Sequence, residues 1–330
     1  MITIEASNIY LGGGYILLEE LVKTLESKRI VSKIYVGYDI VYSKLSAFGF
    51  QYIYIIKTTT LNTLFRYFVT KSNTLYFCSL PPFRKSPNSI VYSHNPHILI
   101  RPSFSISNMK YILYYYWVKS FGRNTDFFAC QTDSVARKMQ ALGYKVRLMP
   151  FYVKTNRLDV VKQYDFCYIS TVAPHKNHNR LFDAIETVIQ EGYNFTIAVT
   201  IRDSQANKHL IDKINAINNK ANREVIVNKG FVSRFEVELI LNSSYTLLFP
   251  SLTETFGLPI AEALSCGLGV IASDRPYVYN LMANPVVFDP ENTQSIANAI
   301  IKHLNGENKF VNQTLLVEDK IEELIGILNK

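Results

Sequence analysis

Apolar positions along this chain follow two periods. Short segments rich in β-branched and aromatic residues read as strands: ITIEAS (2–7), KIYVGY (33–38), QYIYIIK (51–57), TLYFCSLPP (74–82), SIVYSHNP (89–96) and RLMPFYV (147–153). Between them lie segments with helical spacing, such as Leu17, Leu18, Leu21, Val22 and Leu25 in YILLEELVKTLES, and helical stretches at 107–121 and 133–142. From about Tyr164 a second series begins. Strands are expected at DFCYIST (165–171), NFTIAVTI (194–201), EVIVNKGFV (224–232), YTLLFPS (245–251), GVIASD (269–274) and PVVFDP (285–290). Helices are expected from about Asn179 and at 206–221, 233–242 and 259–266, with a last amphipathic one in LVEDKIEELIGILNK. Apolar strands alternating with amphipathic helices predict α/β architecture, with parallel sheets covered on both faces. The expected organisation is two Rossmann-like β/α/β domains facing a central cleft: residues 1–155, residues 156–310, and a helix at 311–330 packing back toward the first.

Length and composition agree. The 330 residues suffice for two cores, and 48% hydrophobic with 19% charged residues describes a globular protein without low-complexity segments. The net charge of +8 is unevenly spread. Residues 1–150 hold 18 Lys and Arg against 7 Asp and Glu, which leaves 17 against 20 for the rest. A basic half can meet nucleic acid, an anionic membrane surface or a phosphorylated substrate. The aromatic segments TLFRYFVTK, PPFRKSP, IRPSF and MKYILYYYWVKSFGR, with interleaved Lys and Arg, suit an interfacial membrane contact, nucleic-acid stacking or simple core packing. Tyr111 to Val118 is too short to span a bilayer. Cys78, Cys130, Cys167 and Cys266 stand far apart and read as buried thiols of a reducing cytosol. The chain opens on an expected strand, Met1 to Glu5, with no signal peptide.

Candidate chemistry gathers after the expected strands. In SLTETFGLPIAE (251–262), Pro259 suits a helix start and Gly267 its stop, which makes Leu258 the expected N-cap. Leucine cannot accept from the first turn, so the helix start is a ready anion site. Glu262 then lies one turn inside, Glu254 lies in the preceding loop, and Gly257 permits close backbone approach. An ordinary helix-start glutamate beside a surface loop is the plainer alternative. Lys176, between a strand and a helix, can reach a diphosphate as a point charge, or be a solvated lysine. His175 and His178 are spaced as a metal pair is, without an evident third ligand, so no metal is expected. Gly12, Gly13 and Gly14 let a backbone approach a ligand but do not form the dinucleotide fingerprint. His94 and Asn95 close a strand at its carboxyl end.

Together, KN at 176–177, GFV at 230–232, LLFPSLTETFGLPIAEALSCGLGVIASD and FDPEN resemble the retaining glycosyltransferases of family four, which have the GT-B fold and include bacterial O-antigen and surface-polysaccharide enzymes. The resemblance covers most of the C-terminal half and only loosely the N-terminal half. It implies a catalytic set of Glu254, Lys176 and His94. It further implies donor contacts from Glu262 (ribose), Phe256, Gly257, Leu258 and Thr255 (phosphates or sugar), and Gly230, Phe231 and Val232 (base). Thr171 stands where the family often has arginine, and Arg202 could compensate. Gly12, Gly13, Gly14 and Asn95 would serve the acceptor side. The implied reaction moves a hexose-type sugar from a UDP- or GDP-linked donor to a hydroxyl of a lipid-linked oligosaccharide, without cofactor, metal or nucleic acid, in the cytoplasm against an anionic inner-membrane surface. A non-catalytic nucleotide-binding module and a nucleotide-sugar epimerase of the same fold are the alternatives. A glycosidase would instead need both carboxylates across one bond.

Overall fold

The computed structural model describes residues 1–69, 73–77, 79–93 and 109–330, which form two units: Met1–Val153 with Glu318–Lys330, and Lys154–Val317. The first contains β1 (Ile2–Ala6), α1 (Gly13–Ser27), β2 (Ser32–Val36), α2 (Asp39–Ser46), β3 (Ile53–Lys57), α3 (Thr60–Phe68), β4 (Thr74–Tyr76), β5 (Ser89–Ser93), α4 (Met109–Phe121), β6 (Phe127–Cys130), α5 (Asp133–Ala141) and β7 (Val146–Leu148). Its sheet runs β3-β2-β1-β4-β5-β6-β7, and every recorded pairing is parallel. β1, β4, β5 and β6 are buried along their whole length, which is why they are nearly unbroken apolar runs. The expected strand 147–153 is shorter and sits earlier, because Pro150 removes a ladder donor just past Met149.

The second unit contains β8 (Tyr164–Tyr168), α6 (His178–Gln190), β9 (Ile197–Val199), α7 (Lys208–Ala221), β10 (Ile226–Asn228), α8 (Arg234–Asn242), β11 (Ser244–Phe249), α9 (Leu258–Ser265), β12 (Gly269–Ser273), α10 (Pro276–Leu281), β13 (Val286–Phe288) and α11 (Thr293–Leu304). Its parallel sheet is ordered β10-β9-β8-β11-β12-β13. From β8 the chain winds outward through β9 and β10, then returns to β11 on the other side of β8. The direction of winding therefore reverses between β8 and β11, which makes the carboxyl ends of these two strands the expected place for a ligand.

The last helix, α12 (Ile321–Leu328), belongs to the first unit. Lys320 N–H donates to Pro150 O at 2.8 Å, and Ile321, Leu324, Ile325 and Leu328 are buried. Residues 311–317 stay with the second unit, where Gln313 bonds Val270 in both directions at 2.9 Å. Among the described residues no helix is long and apolar enough to cross a membrane.

Candidate active site

The carboxyl-end loops of β8 and β11 are pinned to one another by short polar contacts. After β8, a 3-10 turn at Pro174–Lys176 leads to Asn177, whose backbone is left-handed at φ 60°. Asparagine tolerates that region better than most residues. Its side chain donates to Pro250 O (3.2 Å) and Pro290 O (2.8 Å), beyond the ends of β11 and β13. Leu252 N–H donates to His175 O at 2.8 Å, and Tyr168 Oη donates to Lys176 O at 2.7 Å. This lattice holds Lys176 Nζ 2.5 Å from Glu254 Oε1, with both side chains largely shielded from solvent. The two expected catalytic groups of this unit thus form one ion pair, with Lys176 also 5.7 Å from the centre of the Phe249 ring.

His175 is exposed, in contrast to His178. His178 is buried, its Nε2 lies 3.1 Å from Ser170 Oγ, and its ring lies 5.0 Å from that of Tyr168. Burial, reinforced by the Lys176 charge, lowers its pKa to about 4, so it is neutral at physiological pH. Its Nδ1 is buried without a hydrogen-bond partner.

The start of α9 departs from the expected capping. Gly257, not Leu258, is the N-cap, with Leu258 the first helical residue and Pro259 the second. Gly257 adopts φ +93°, a left-handed conformation that a side chain would strain, and its added Cβ would meet Leu281 at 3.3 Å. No side chain caps this helix; Pro259 carries no N–H and Ile260 N–H donates to Gly257 O at 2.9 Å, which leaves Leu258 N–H and the positive end of the dipole at its start. Phe256 is buried beneath the loop, whereas Thr255 is partly exposed.

Glu262 lies in the second turn of α9 and is buried, and Arg234 Nη1 donates to its Oε1 at 2.7 Å. Burial raises the Glu262 pKa, and the guanidinium works against that rise. Arg234 was not singled out in the sequence. It opens α8 directly after a capping box in which Ser233 accepts from Glu236 N–H and Glu236 accepts from Ser233 N–H. The S-x-x-E spacing was a signal for the helix start, though not for the direction of the arginine.

Arg202 and Phe231, expected separately, meet: the guanidinium carbon lies 4.2 Å from the ring centroid. Asn228 latches the segments that carry these two side chains. It accepts from Ile201 N–H (2.9 Å) and Gly230 N–H (3.1 Å) and donates to Ile201 O (3.0 Å), tying the ends of β9 and β10. Gly230 turns the chain at φ +69°, Phe231 is exposed and Val232 partly so. Thr171 is exposed in the loop after β8. Gly12, Gly13 and Gly14 belong to the first unit, where Gly12 is the N-cap of α1 and no side chain caps that helix. His94 and Asn95 lie outside the described residues.

The carboxyl edge of this sheet thus offers an uncapped helix start, a shielded Lys–Glu pair and a buried carboxylate held by an arginine. It also offers an exposed aromatic ring backed by a cation. That set can receive an anionic, hydroxyl-rich, planar-ringed ligand. Residues 155–314 match the family described as glycosyl transferases group 1. The O-antigen chain mannosyltransferase RfbU of Salmonella typhimurium is 24% identical over 210 residues, 59% of this chain and 55% of that protein. The chain's match thus spans about half the length of this curated relative. Among solved structures, Anabaena HepE in complex with UDP and glucose superposes with a TM-score of 0.70 at 13% identity, covering 99% of this chain and 97% of the other. The lipopolysaccharide outer core galactosyltransferase WaaB in its apo form gives 0.60 at 13%, covering 99% and 94%. The chain therefore has the GT-B architecture, and its second unit carries the match to the glycosyl transferases group 1 family.

Proposed function

We propose that this protein is a retaining glycosyltransferase. It would move a hexose-type sugar from a UDP- or GDP-linked donor to a hydroxyl of a lipid-linked oligosaccharide, in the synthesis of a bacterial O-antigen or related surface polysaccharide. The observation that carries the reading is the Lys176–Glu254 pair set at the β8/β11 reversal of the sheet in the same unit as the uncapped start of α9. A nucleotide diphosphate binds at the start of α9, at Leu258 N–H and the positive end of the helix dipole, with Lys176 as the counter-charge. Glu262, held by the Arg234 guanidinium, accepts from the ribose hydroxyls, and Phe231 backed by Arg202 offers its face to the base. Glu254, drawn from Lys176 as the phosphate arrives, accepts from the sugar.

In the reaction the bond from the anomeric carbon to the phosphate oxygen breaks and the acceptor oxygen bonds to that carbon on the same face. The acceptor proton passes to the departing phosphate oxygen. Negative charge grows on that phosphate in the transition state, where the helix start and Lys176 stabilise it more than in the ground state. These groups supply the neutralisation without a metal ion. His94 is assigned to the reacting centre, and Asn95, with the glycines at 12–14, to the acceptor side. An acceptor anchored in lipid places the work on the cytoplasmic face of an anionic membrane. The reading is tested by thermal shift with a panel of UDP- and GDP-sugars, followed by mass spectrometry of acceptor products. At least one nucleotide sugar is expected to raise Tm and to be consumed only with acceptor present; no shift with any of them would end the proposal.

A further inference from the structure

Arg234 offers more hydrogen bonds than Glu262 takes. It is the first residue of α8, held there by the Ser233–Glu236 capping box, and its Nη1 donates to Glu262 Oε1 at 2.7 Å. Its Nη2 is buried without a hydrogen-bond partner. Among the described residues four buried side-chain nitrogen or oxygen atoms lack one, and Arg234 Nη2 is the one that belongs to a charged group. A buried donor left unpaired costs free energy, and a cationic donor costs the most, so this atom calls for an acceptor that arrives with a ligand. The Arg234 side chain is 29% exposed, against 4% for Glu262, so an incoming ligand can meet the guanidinium.

The neighbours of Arg234 identify that acceptor. With a ribose on Glu262, a guanidinium paired with the same carboxylate is within reach of what the ribose carries, the phosphates on one side and the base on the other. The phosphates already have Lys176 and the start of α9. Arg234 instead follows directly on Gly230, Phe231 and Val232, where Phe231 is 60% exposed and has the Arg202 guanidinium over its ring. Bases differ in what they offer a guanidinium on this side. Guanine presents N7 and O6, two adjacent acceptors that take two N–H groups at once. Adenine sets its N7 beside an amino donor, and uracil sets its O4 beside N3–H, so each has room for a single N–H. We propose that Arg234 reads the base and selects guanine, so that the donor is a GDP-linked sugar. The proposal rests on the reading of this edge as a nucleotide-sugar site and deepens it by naming the nucleotide and the residue that chooses it.

Calorimetry on the full chain with free GDP, ADP and UDP tests it, together with the GDP analogue that has carbon in place of N7. GDP is expected to bind roughly tenfold or more tightly than the other three. ADP has the same two-ring stacking area as GDP, so the difference between them isolates the acceptor edge. Arg234→Lys keeps a cation beside Glu262 but removes the planar fork. It is expected to lower GDP affinity to about that of ADP and to leave UDP affinity nearly unchanged. Should that variant fail to fold, the wild-type comparison of GDP with its analogue decides alone. Equal losses for GDP and UDP in Arg234→Lys would make Arg234 a ribose or phosphate contact and overturn the proposal. So would wild-type binding of ADP, UDP or the analogue as tight as that of GDP. A site that binds UDP best leaves the transferase reading standing and ends this one, whereas a site that binds none of the four ends both.

Discussion

At the scale of residues, two glutamates eight positions apart receive different surroundings. Glu254 faces Lys176 in the loop, whereas Glu262 is buried against Arg234. Glu254→Gln is expected to lower kcat by roughly a hundredfold with little change in nucleotide affinity. Glu262→Gln is expected to weaken UDP or GDP binding roughly tenfold or more with a smaller kcat effect. Equal effects in calorimetry and steady-state assays would contradict this division. Arg234→Met tests what opposes the effect of burial on Glu262. The folded-state pKa of Glu262 already lies above its ordinary 4.5 through burial, so its contribution to stability is full below 4.5 and is lost as pH rises through the folded value. Without Arg234 that window moves upward. The variant should therefore show nucleotide affinity that falls as pH is lowered from neutrality, and a Tm deficit that is largest at high pH. His178 has the opposite sign: its pKa is lowered to about 4, so the stability it confers is present above about 6.5 and lost as pH falls toward 4. The loss is on the order of 3 kcal/mol, and a Tm–pH profile of His178→Phe should be flatter over that window.

At the scale of elements, the glycine loop and the helix it starts act together. The position of Gly257 and the absence of a capping side chain were legible in the local residue types, although the cap falls one residue earlier than the proline implied. Proline is at home in the first turn and does not fix which of its positions it takes, whereas the left-handed backbone of Gly257 does. Gly257→Ala is expected to cost about 1–2 kcal/mol from its φ alone, with more from the Leu281 contact. Nucleotide affinity should drop with it, read by thermal shift with and without UDP and GDP. Elements carried by weak periodicity, such as β6, α2 and α3, could not be found from pattern. β6 has four residues, and the apolar side of α3 points away from the core, so the pattern misstates what is buried.

At the scale of the whole molecule, α12 is the element that links distant parts of the sequence, being last in the chain and part of the first unit. Ile321, Leu324, Ile325 and Leu328 are buried, and each contributes roughly 1.5–3 kcal/mol. Their sum is comparable to the 5–15 kcal/mol that holds a typical domain. A chain ending at Val317 should therefore lose most of the cooperative unfolding of residues 1–153 while residues 154–317 keep theirs, as limited proteolysis with mass spectrometry would resolve. By itself the sequence determined the alternation of strand and helix, the two units, and the stretch that starts α9, because periodicity, glycine and proline act over a few residues. Tertiary structure alone decided that Lys176 pairs with Glu254, that Arg234 holds Glu262, and that Arg202 lies over Phe231. Those partners are 78, 28 and 29 positions apart. Which charge faces which at such separations depends on strand order and on latches such as Asn177 and Asn228, whose partners no local pattern reveals.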